Sequence, residues 1–341
     1  MKIEDPNENY MRLALDLAKK AFGKTSPNPM VGAVIVRNGE IVGKGFHECA
    51  GLPHAEVIAI DNAGQNAKNA VLYVTLEPCS TTGRTPPCVE AIIAAKIAKV
   101  VVGCLDPNPK HAGKGVDILE KAGIDVEIGL LRKECERLNE AFFHWITTGR
   151  PFVLLKLAST LDGRIATSSG TSQWITGPEA RARVQQMRCW ADAIMVGGET
   201  ARNDKPSLSV RGIRTWRQPK RIIASKIMNA QTVAKLLPPG PPPILISADS
   251  KKKWIHEFTK LGENGVTALL VEGGGVLAAS LLSAGVVDKI AYFIAPKILG
   301  GANSRPAVSG KDPTSLDEAH LLKNIEMEKV GNDFLITGTL V

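Results

Sequence analysis

Three residues with metal-binding side chains occur in the first third of the chain. His54 stands two positions before Glu56, and Cys79 and Cys88 follow with eight residues between them. One imidazole and two thiolates suit Zn²⁺, and three protein ligands leave a fourth position for water, as in catalytic zinc sites. Zinc lowers the pKa of such a water from about 15.7 to about 7. Glu56 is placed to shuttle protons without binding the metal.

The order of these residues along the chain narrows the set of reactions that the site could catalyse. His-x-Glu followed by Pro-Cys and a second Cys is the pattern of zinc-dependent nucleobase deaminases, although the loop between the cysteines is longer here. Pro53 predicts a helix start, which puts His54 and Glu56 in its first turn. Pro86-Pro87 predict a second helix start just before Cys88, where a helix N-terminus favours a thiolate. A structural zinc clip, or a core histidine with unrelated cysteines, is the alternative interpretation.

Composition indicates a two-domain protein without a membrane segment. The 341 residues are 44% hydrophobic and 22% charged, which is ordinary for a globular protein. Met1 to Tyr10 is polar and acidic, so we expect no signal peptide. We find no apolar run of 18 or more residues and expect no membrane association. The six cysteines show no disulfide framework, which predicts a reducing, cytoplasmic location.

The net charge of +8 is unevenly distributed. Residues 1–148 contain 17 Lys and Arg against 18 Asp and Glu, whereas residues 149–341 contain 25 against 16. A deaminase that bound tRNA or DNA would carry its basic surface on the zinc half. We therefore predict no nucleic-acid partner. We expect the basic half to bind a small phosphorylated ligand. The alternative is that its lysines form only a solvated basic surface.

Alternating helical and strand patterns predict an α/β fold on each side of Gly149-Arg150-Pro151. In residues 1–148 an Asn38-Gly39 hairpin and a buried strand at 71–76 suggest a three-layer α/β/α zinc domain with one long helix over 130–147. Residues 149–341 form a second alternating set, with strands predicted at 152–158, 193–197, 221–224, 244–247, 267–271 and 289–295 and helices at 178–190, 252–261 and 276–284. Two short strands near 325–328 and 334–340 are expected to end the chain.

Longer motifs resemble those of a known family in both halves. SPNPMVGAVIV, His47, the zinc residues, TLEPCSTTGRTPPC and DPNP resemble the deaminase half of the bifunctional riboflavin-biosynthesis deaminase/reductase. KLASTLDGRIA, SQWITGPEARARVQ, DAIMVGGETARNDKPSLSVR and LLVEGGG resemble its reductase half. The resemblance covers nearly the whole chain, in the family's order.

The resemblance implies two consecutive reactions on one phosphoribosyl pyrimidine. A cytidine-deaminase-like domain would hydrolyse the 2-amino group of 2,5-diamino-6-(5-phosphoribosylamino)pyrimidin-4-one. A dihydrofolate-reductase-like domain would then use NADPH to reduce the ribosyl chain to ribityl. The resemblance thus implies Zn²⁺ and NADPH as cofactors, and we expect a homo-oligomer formed through the reductase domain.

The resemblance also assigns residues to both sites. Glu56 and Asp204 are the expected catalytic residues, and the expected zinc ligands are His54, Cys79 and Cys88. The substrate positions are Asn28, His47, Arg84, Asp106, Asn108, Ser172, Arg188, Leu208, Arg211 and Glu272. The cofactor positions are Lys156, Ala158, Trp174, Thr200, Asp204, Ser225, Gly273, Gly274 and Gly275. Arg84 is expected to grip a phosphate as a guanidinium fork, and the glycine triplet to bring backbone amides near one. Arg188 and Arg211 are expected near the sugar phosphate.

The chain departs from the family pattern in the two halves. The family usually has His after Pro-Cys-Ser, where this chain has Thr81. The family's Asp-Ser reads Ala224-Ser225 here, and the stretch between Ser225 and Thr267 is short. Two other interpretations therefore stay open at this point: a deaminase with a degenerate, non-catalytic reductase module, and a tRNA or nucleobase deaminase fused to an unrelated domain.

Overall fold

The computed structural model describes residues 5–83, 85–109 and 111–341. The chain packs into two compact units, Met1–Gly149 and Arg150–Val341. No helix among these residues is long and apolar enough to span a membrane. Each unit has its own buried clusters and its own sheet, and each is therefore described by itself.

The first unit alternates strands and helices, as predicted. Its strands are β1 (Gly32–Arg37), β2 (Glu40–Phe46), β3 (Val71–Leu76), β4 (Lys99–Cys104) and β5 (Asp125–Ile128). Its helices are α1 (Pro6–Lys19), α2 (Ala55–Ala63), α3 (Cys88–Ala94), α4 (Lys114–Lys121), α5 (Arg132–Leu138) and α6 (Glu140–Thr148). The strands form one sheet in the order β2-β1-β3-β4-β5.

The sheet of the first unit is covered on both faces. Apolar side chains of α2, α3 and α4 pack in one cluster with strand residues such as Ile35 and Leu72. Side chains of α1 and α5 pack in another cluster with the alternate residues, such as Val34 and Tyr73. Successive strand residues point to opposite faces, so these are two separate layers. The predicted three-layer α/β/α domain is confirmed.

Two glycines on β2 let the zinc-bearing helix α2 lie against the strand backbone. A Cβ atom on Gly45 would lie 2.3 Å from the carbonyl oxygen of Ala55, and one on Gly43 would lie 2.2 Å from that of Ala59. Contacts this short are forbidden, so any larger residue would push α2 outward. The glycines therefore set how closely the first turn of α2 approaches strand β2.

Local sequence signals account for one connection of this unit and miss another. Asn38 and Gly39 have φ values of 53° and 80°, as a two-residue hairpin turn requires. The single helix predicted over 130–147 is wrong, because the chain breaks between α5 and α6 at Asn139. The buried Asn139 amide bonds both the N–H and the C=O of Met30, each at 2.8 Å. Local periodicity does not reveal this distant pairing.

The second unit contains the remaining elements. Its strands are β6 (Phe152–Thr160), β7 (Arg164–Ala166), β8 (Ala193–Gly197), β9 (Lys220–Ala224), β10 (Ile244–Ile246), β11 (Ala268–Val271), β12 (Lys289–Ala295), β13 (Arg305–Pro306), β14 (Leu322–Val330) and β15 (Asp333–Leu340). Its helices are α7 (Pro178–Trp190), α8 (Gly198–Asp204), α9 (Ala230–Leu236), α10 (Lys251–Glu263) and α11 (Gly275–Ser283). The prediction omitted β7, β13, α8 and α9 and made β14 too short, whereas the last strand, predicted near 334–340, agrees with β15.

The large sheet of the second unit is mixed. Its order is β10-β9-β8-β11-β6-β12-β15-β14. The strands from β10 to β12 run parallel, whereas β15 and β14 are antiparallel to their neighbours. Side chains of α10 and α11 pack on one face, and those of α7, α8 and α9 pack on the other. The carboxyl ends of six adjacent parallel strands thus form one edge, where α/β proteins bind ligands.

Candidate active sites

The predicted zinc ligands meet at the ends of three elements. His54 is the N-cap of α2, Cys88 is the first residue of α3, and Cys79 follows β3 after a short turn. The Nδ1 atom of His54 lies 3.2 Å from the Cys88 Sγ and 3.5 Å from the Cys79 Sγ. Tetrahedral zinc, with bonds of about 2.1 Å to nitrogen and about 2.3 Å to sulfur, separates such atoms by about 3.6 Å. The donor set and its spacing therefore fit a zinc ion.

The protonation states of the three ligands are linked. A hydrogen bond from the Cys88 thiol lowers the pKa of Cys79 to about 4, and the same bond raises the pKa of Cys88. Hydrogen bonding to Cys79 raises the pKa of the His54 imidazole. One thiolate is therefore present at neutral pH, and it also accepts the backbone N–H of Cys88 at 3.3 Å. The second thiol would lose its proton when a cation binds.

Glu56 lies beside this cluster in the first turn of α2. Its side chain is buried, and burial raises its pKa to about 7, with a further contribution from the negative charge of Cys79. A carboxyl group with such a pKa can both accept and donate a proton near neutral pH. These properties suit the proton shuttle predicted from the sequence.

Asn28 and His47 form a hydrogen-bonded pair on the cavity wall. The Nδ1 of His47 lies 3.2 Å from the carbonyl oxygen of Pro53, so that nitrogen carries the proton. The Nε2 of His47 then accepts a hydrogen bond from the Asn28 amide at 3.1 Å. Burial lowers the pKa of His47, which favours this neutral form. The Asn28 amide is thereby oriented, with its oxygen pointing away from His47.

Asp106 and Asn108 lie on the loop that follows β4. The Oδ1 atom of Asp106 accepts the backbone N–H of Asn108 at 2.8 Å, and burial raises the pKa of Asp106. Buried Glu77 holds the loop in place. Its Oε2 accepts from the backbone N–H groups of Asp106 and Gly113 at 3.1 and 3.0 Å, and its Oε1 accepts from that of Gly115 at 2.9 Å.

These side chains surround a cavity of about 380 Å³. The predicted residues on its wall are Asn28, His47, His54, Glu56, Cys79, Asp106 and Asn108. Thr81 lines it as an exposed residue. Arg84, the predicted phosphate fork, lies outside the described residues. Phe142 and Trp145 of α6 supply an aromatic wall.

Sequence reasoning missed three residues of this site. Glu77 anchors the Asp106 loop, and Asn139 fixes Met30 close to Asn28. His111 lines the cavity, and its Nδ1 lies 3.4 Å from the Ser80 hydroxyl. Of these three residues, only Glu77 has a recognisable signal in the sequence, because it is a charged residue directly after a buried strand. Asn139 and His111 carry no local signal.

A larger cavity, of about 1130 Å³, lies at the carboxyl ends of the parallel strands in the second unit. Every residue that the sequence assigned to the reductase site lines it: Lys156, Ala158, Ser172, Trp174, Arg188, Thr200, Asp204, Leu208, Arg211, Ser225, Glu272, Gly273, Gly274 and Gly275. Residues from across the second half of the chain therefore share one cavity.

A buried ion pair lies within this cavity. The Nε and Nη2 atoms of Arg188 donate to the two carboxylate oxygens of Glu272 at 2.6 and 3.0 Å, and Nη1 donates to the carbonyl oxygen of Ser209 at 3.0 Å. The guanidinium is thus engaged by protein groups, and Arg211, which is exposed, remains the better placed for a sugar phosphate. Burial lowers the pKa of the neighbouring Lys156 ammonium, which lies over the ring of Phe293.

The glycine triplet follows β11 and leads into α11. Gly274 is the N-cap, and a Cβ atom on Gly275 would lie 2.6 Å from the Ser309 hydroxyl and 2.7 Å from the carbonyl oxygen of Pro306. Only glycine fits there. The Thr200 hydroxyl is 3.7 Å from the position of a Cβ on Gly274. The start of α11 and the Thr200 hydroxyl therefore lie close together on the cavity wall, and a helix N-terminus can hold phosphate through its backbone N–H groups.

Trp174 and Asp204 both line this cavity. Trp174 is 63% exposed, its ring packs 4.6 Å from the Arg181 guanidinium, and its carbonyl oxygen accepts a hydrogen bond from Lys297 at 3.0 Å. An exposed, fixed indole suits stacking on a planar ligand better than a role in the core. Asp204 ends α8, and partial burial raises its pKa.

Two family models match the chain in tandem. Residues 4–104 match the cytidine and deoxycytidylate deaminase zinc-binding region, and residues 151–336 match the RibD C-terminal domain. The first match contains the His54, Cys79 and Cys88 cluster, and the second contains the residues of the larger cavity.

Curated relatives are similar over nearly their whole length. The riboflavin biosynthesis protein RibD of Aquifex aeolicus is 44% identical, with 98% of each chain covered. That of Escherichia coli K12 is 40% identical over 96% of this chain and 97% of the relative. Among solved structures, Acinetobacter baumannii RibD superposes with a TM-score of 0.89 at 36% identity, covering 98% of this chain and 99% of that one. The deaminase/reductase of Thermotoga maritima gives 0.86 at 34% identity, with the same coverage.

Proposed function

This chain belongs to the RibD family of riboflavin biosynthesis proteins, and we propose that it catalyses both reactions implied by its two cavities. It deaminates 2,5-diamino-6-(5-phosphoribosylamino)pyrimidin-4-one and then reduces the ribosyl side chain of the product to ribityl with NADPH. The observation that carries this proposal is that the predicted reductase residues line the larger cavity, while the predicted deaminase residues among the described ones lie at the smaller cavity, with Cys88 beside the expected zinc ligand His54. Residues 1–148 would perform the first reaction and residues 149–341 the second.

In the deaminase cavity, His54, Cys79 and Cys88 would hold a zinc ion, which would supply Lewis acidity that makes water nucleophilic at neutral pH. The carboxylate of Glu56 would accept one proton from the attacking water and pass it to the ring nitrogen, and it would then carry a second proton, from the hydroxyl added to the ring carbon, to the leaving amine. The Asn28 amide, oriented by His47, and the buried Asp106 carboxyl hold the heterocycle. The aromatic wall of α6 limits access of bulk water.

In the reductase cavity, NADPH supplies the hydride. The glycine turn before α11 would hold its pyrophosphate through backbone N–H groups, and the exposed indole of Trp174 would stack on a planar part of the cofactor. Glu272, fixed by Arg188, accepts hydrogen bonds from hydroxyl groups of the sugar. Arg211 binds the phosphate, and Asp204 exchanges a proton with the reacting sugar.

Two further features bear on the cellular location and the oligomeric state of the protein. The cysteines are all free thiols, which supports a reducing, cytoplasmic location. Strand β14 is an edge strand of the large sheet, with its register interrupted between Lys323 and Glu326, and its Ile325 and Met327 are 60% and 68% exposed. An exposed edge strand of this kind is suited to pairing, so the proposed homo-oligomer forms through the reductase domain. Sedimentation of an Ile325→Lys variant, expected to be monomeric, tests this.

The purified chain should release ammonia from the diaminopyrimidine substrate and then oxidise NADPH. Ammonia and NADPH absorbance are followed in one reaction, with stem-loop RNA as an alternative deaminase substrate. Ammonia release without NADPH oxidation would instead favour a deaminase with a non-catalytic reductase module. Release of ammonia from RNA would favour a nucleic-acid deaminase.

A further inference from the structure

His111 is an imidazole on the wall of the deaminase cavity that has no role in the steps given above. Its side chain is half-buried and lines the cavity. The Nδ1 atom lies 3.4 Å from the Ser80 hydroxyl oxygen, and this is the one side-chain hydrogen bond that either residue makes to a described part of the chain. With the Ser80 hydroxyl donating to Nδ1, the ring proton is on Nε2. Nε2 can therefore donate a hydrogen bond to a ligand in the cavity.

The backbone around His111 places the ring but does not need it. The backbone N–H of His111 donates to the carbonyl oxygen of Asn108 at 2.8 Å. On either side of His111, the backbone N–H groups of Asp106 and Gly113 donate to the same Oε2 atom of Glu77. These are backbone hydrogen bonds, which do not depend on the side chain at position 111. The turn therefore fixes where the imidazole lies, and it leaves the imidazole itself without a structural task.

Ser80 connects His111 to a position where this chain departs from the family pattern. The next residue, Thr81, also lines the cavity and stands where the family usually has histidine. The ring of His111 belongs to the loop after β4, and it approaches the residue directly before Thr81. An imidazole that is missing from the loop after β3 is thus supplied close by, from the loop after β4.

The donors on this part of the cavity wall suit an anionic group. The heterocycle of the substrate is expected at the zinc residues, beside Asn28 and Glu56, and the remaining charged group of the substrate is its phosphate. Thr81, Thr85 and His111 line the same cavity, and each offers an O–H or N–H donor. Hydrogen bonds to a charged acceptor are the stronger ones. We propose that His111 binds the phosphate of the deaminase substrate through its Nε2–H, in place of the histidine that the family has at the position of Thr81; this rests on the proposed deaminase function.

Kinetics of ammonia release by the full-length, zinc-containing protein test the proposal. The phosphorylated diaminopyrimidine is compared with the same compound lacking the phosphate. His111→Ala should raise the KM for the phosphorylated compound by about tenfold or more, as expected for a lost hydrogen bond to a charged group. It should leave kcat nearly unchanged and should not alter the KM for the compound without phosphate. Lys114→Ala, at the exposed first residue of α4, is the matched control and should change neither KM.

Returning an imidazole to position 81 tests the replacement. Thr81→His in the His111→Ala background should recover most of the lost affinity for the phosphorylated compound, whereas Thr81→His alone should have little effect. A double variant that recovers nothing would contradict the replacement. Equal weakening of both compounds by His111→Ala, with the zinc retained, would show that His111 only supports its loop and would overturn the proposal. An unchanged KM for the phosphorylated compound would overturn it as well.

A measurement without turnover separates this proposal from the proposed deaminase function. The ring signal of His111 in the NMR spectrum, identified by its absence in His111→Ala, should shift when ribose 5-phosphate is added and should not shift with ribose. If the wild-type protein released no ammonia from the diaminopyrimidine and the shift still occurred, the deaminase assignment would fall and the phosphate contact would stand. If ammonia were released and His111 gave no shift with ribose 5-phosphate, the phosphate contact would fall and the deaminase assignment would stand.

Discussion

Two buried carboxyl groups, Glu56 and Glu272, occupy the two cavities with different partners. Glu56 lies beside a thiolate, and burial holds its pKa at about 7. Glu272 is instead paired with both forks of the Arg188 guanidinium. The first environment makes a carboxyl group that exchanges protons near neutral pH, and the second makes a fixed acceptor. We therefore expect one residue type to serve proton transfer in one cavity and positioning in the other.

Replacing Glu56 by Gln should abolish proton transfer while leaving the zinc ligands in place. Because general acid–base catalysis contributes about 10²- to 10⁴-fold, ammonia release should fall by at least about 100-fold, with one zinc per chain retained. Metal analysis and an ammonia assay on the same preparation check this. Glu90→Gln, an exposed acid in the first turn of α3, is the control and should keep full activity. Near-normal activity of the Glu56 variant would mean that another group moves the proton.

Removing one partner of the Arg188–Glu272 pair should be costly. The two side chains are only 10% and 11% exposed, so Arg188→Met leaves a buried charge unpaired, which costs about 3–5 kcal/mol in free energy of unfolding. The double variant Arg188→Met/Glu272→Leu should recover most of that stability, because an apolar pair replaces the ion pair, yet it should remain unable to reduce substrate. Urea unfolding and NADPH oxidation measure the two effects. If the Arg188→Met variant were as stable as the wild type, an unpaired buried charge could not be the cost that we describe.

At the scale of elements, loops on the deaminase cavity are held by residues that touch no substrate. Glu77 accepts the backbone N–H groups of Asp106 and Gly113 in the loop after β4 and of Gly115 in the first turn of α4, and a glutamine there can satisfy only part of them. Glu77→Gln should therefore lower stability by about 1–3 kcal/mol and raise the deaminase KM, with reductase activity unchanged. Glu120→Gln on the exposed side of α4 is the control. An unchanged KM would show that the loop keeps its position without this clamp.

The elements also show what the sequence predicts and what it cannot. The hairpin at Asn38-Gly39 was predicted because turn chemistry is local. The break at Asn139 was not, because its cause is a hydrogen-bonded pair with Met30, more than a hundred residues away. Short elements such as α8 and α9 have too few residues for a periodic pattern, and packing on the sheet stabilises them.

At the scale of the whole molecule, the site residues were predictable where they stand in contiguous motifs. The residues of the zinc motif lie at or next to the ends of helices and strands, and the order of these elements along the chain brings the residues together. They are His54, Glu56, Cys79 and Cys88. Glu77 was missed, because its hydrogen bonds to the backbone become visible only when distant segments are seen together. Sequence motifs thus predict the chemistry, and the fold adds the groups that orient it.

The two units should work independently of each other. The buried clusters of the first unit contain only its own residues, as do those of the second. A mixture of Glu56→Gln, which lacks deaminase activity, and Asp204→Ala, which lacks reductase activity, should therefore convert the diaminopyrimidine fully through the released intermediate. Ammonia release and NADPH oxidation should both occur in the mixture, at a rate that rises with protein concentration. The Glu56→Gln variant mixed with the Glu56→Gln/Asp204→Ala double variant is the control and should show neither. Ammonia release in the first mixture without NADPH oxidation would mean that the intermediate has to pass between the sites of a single assembly.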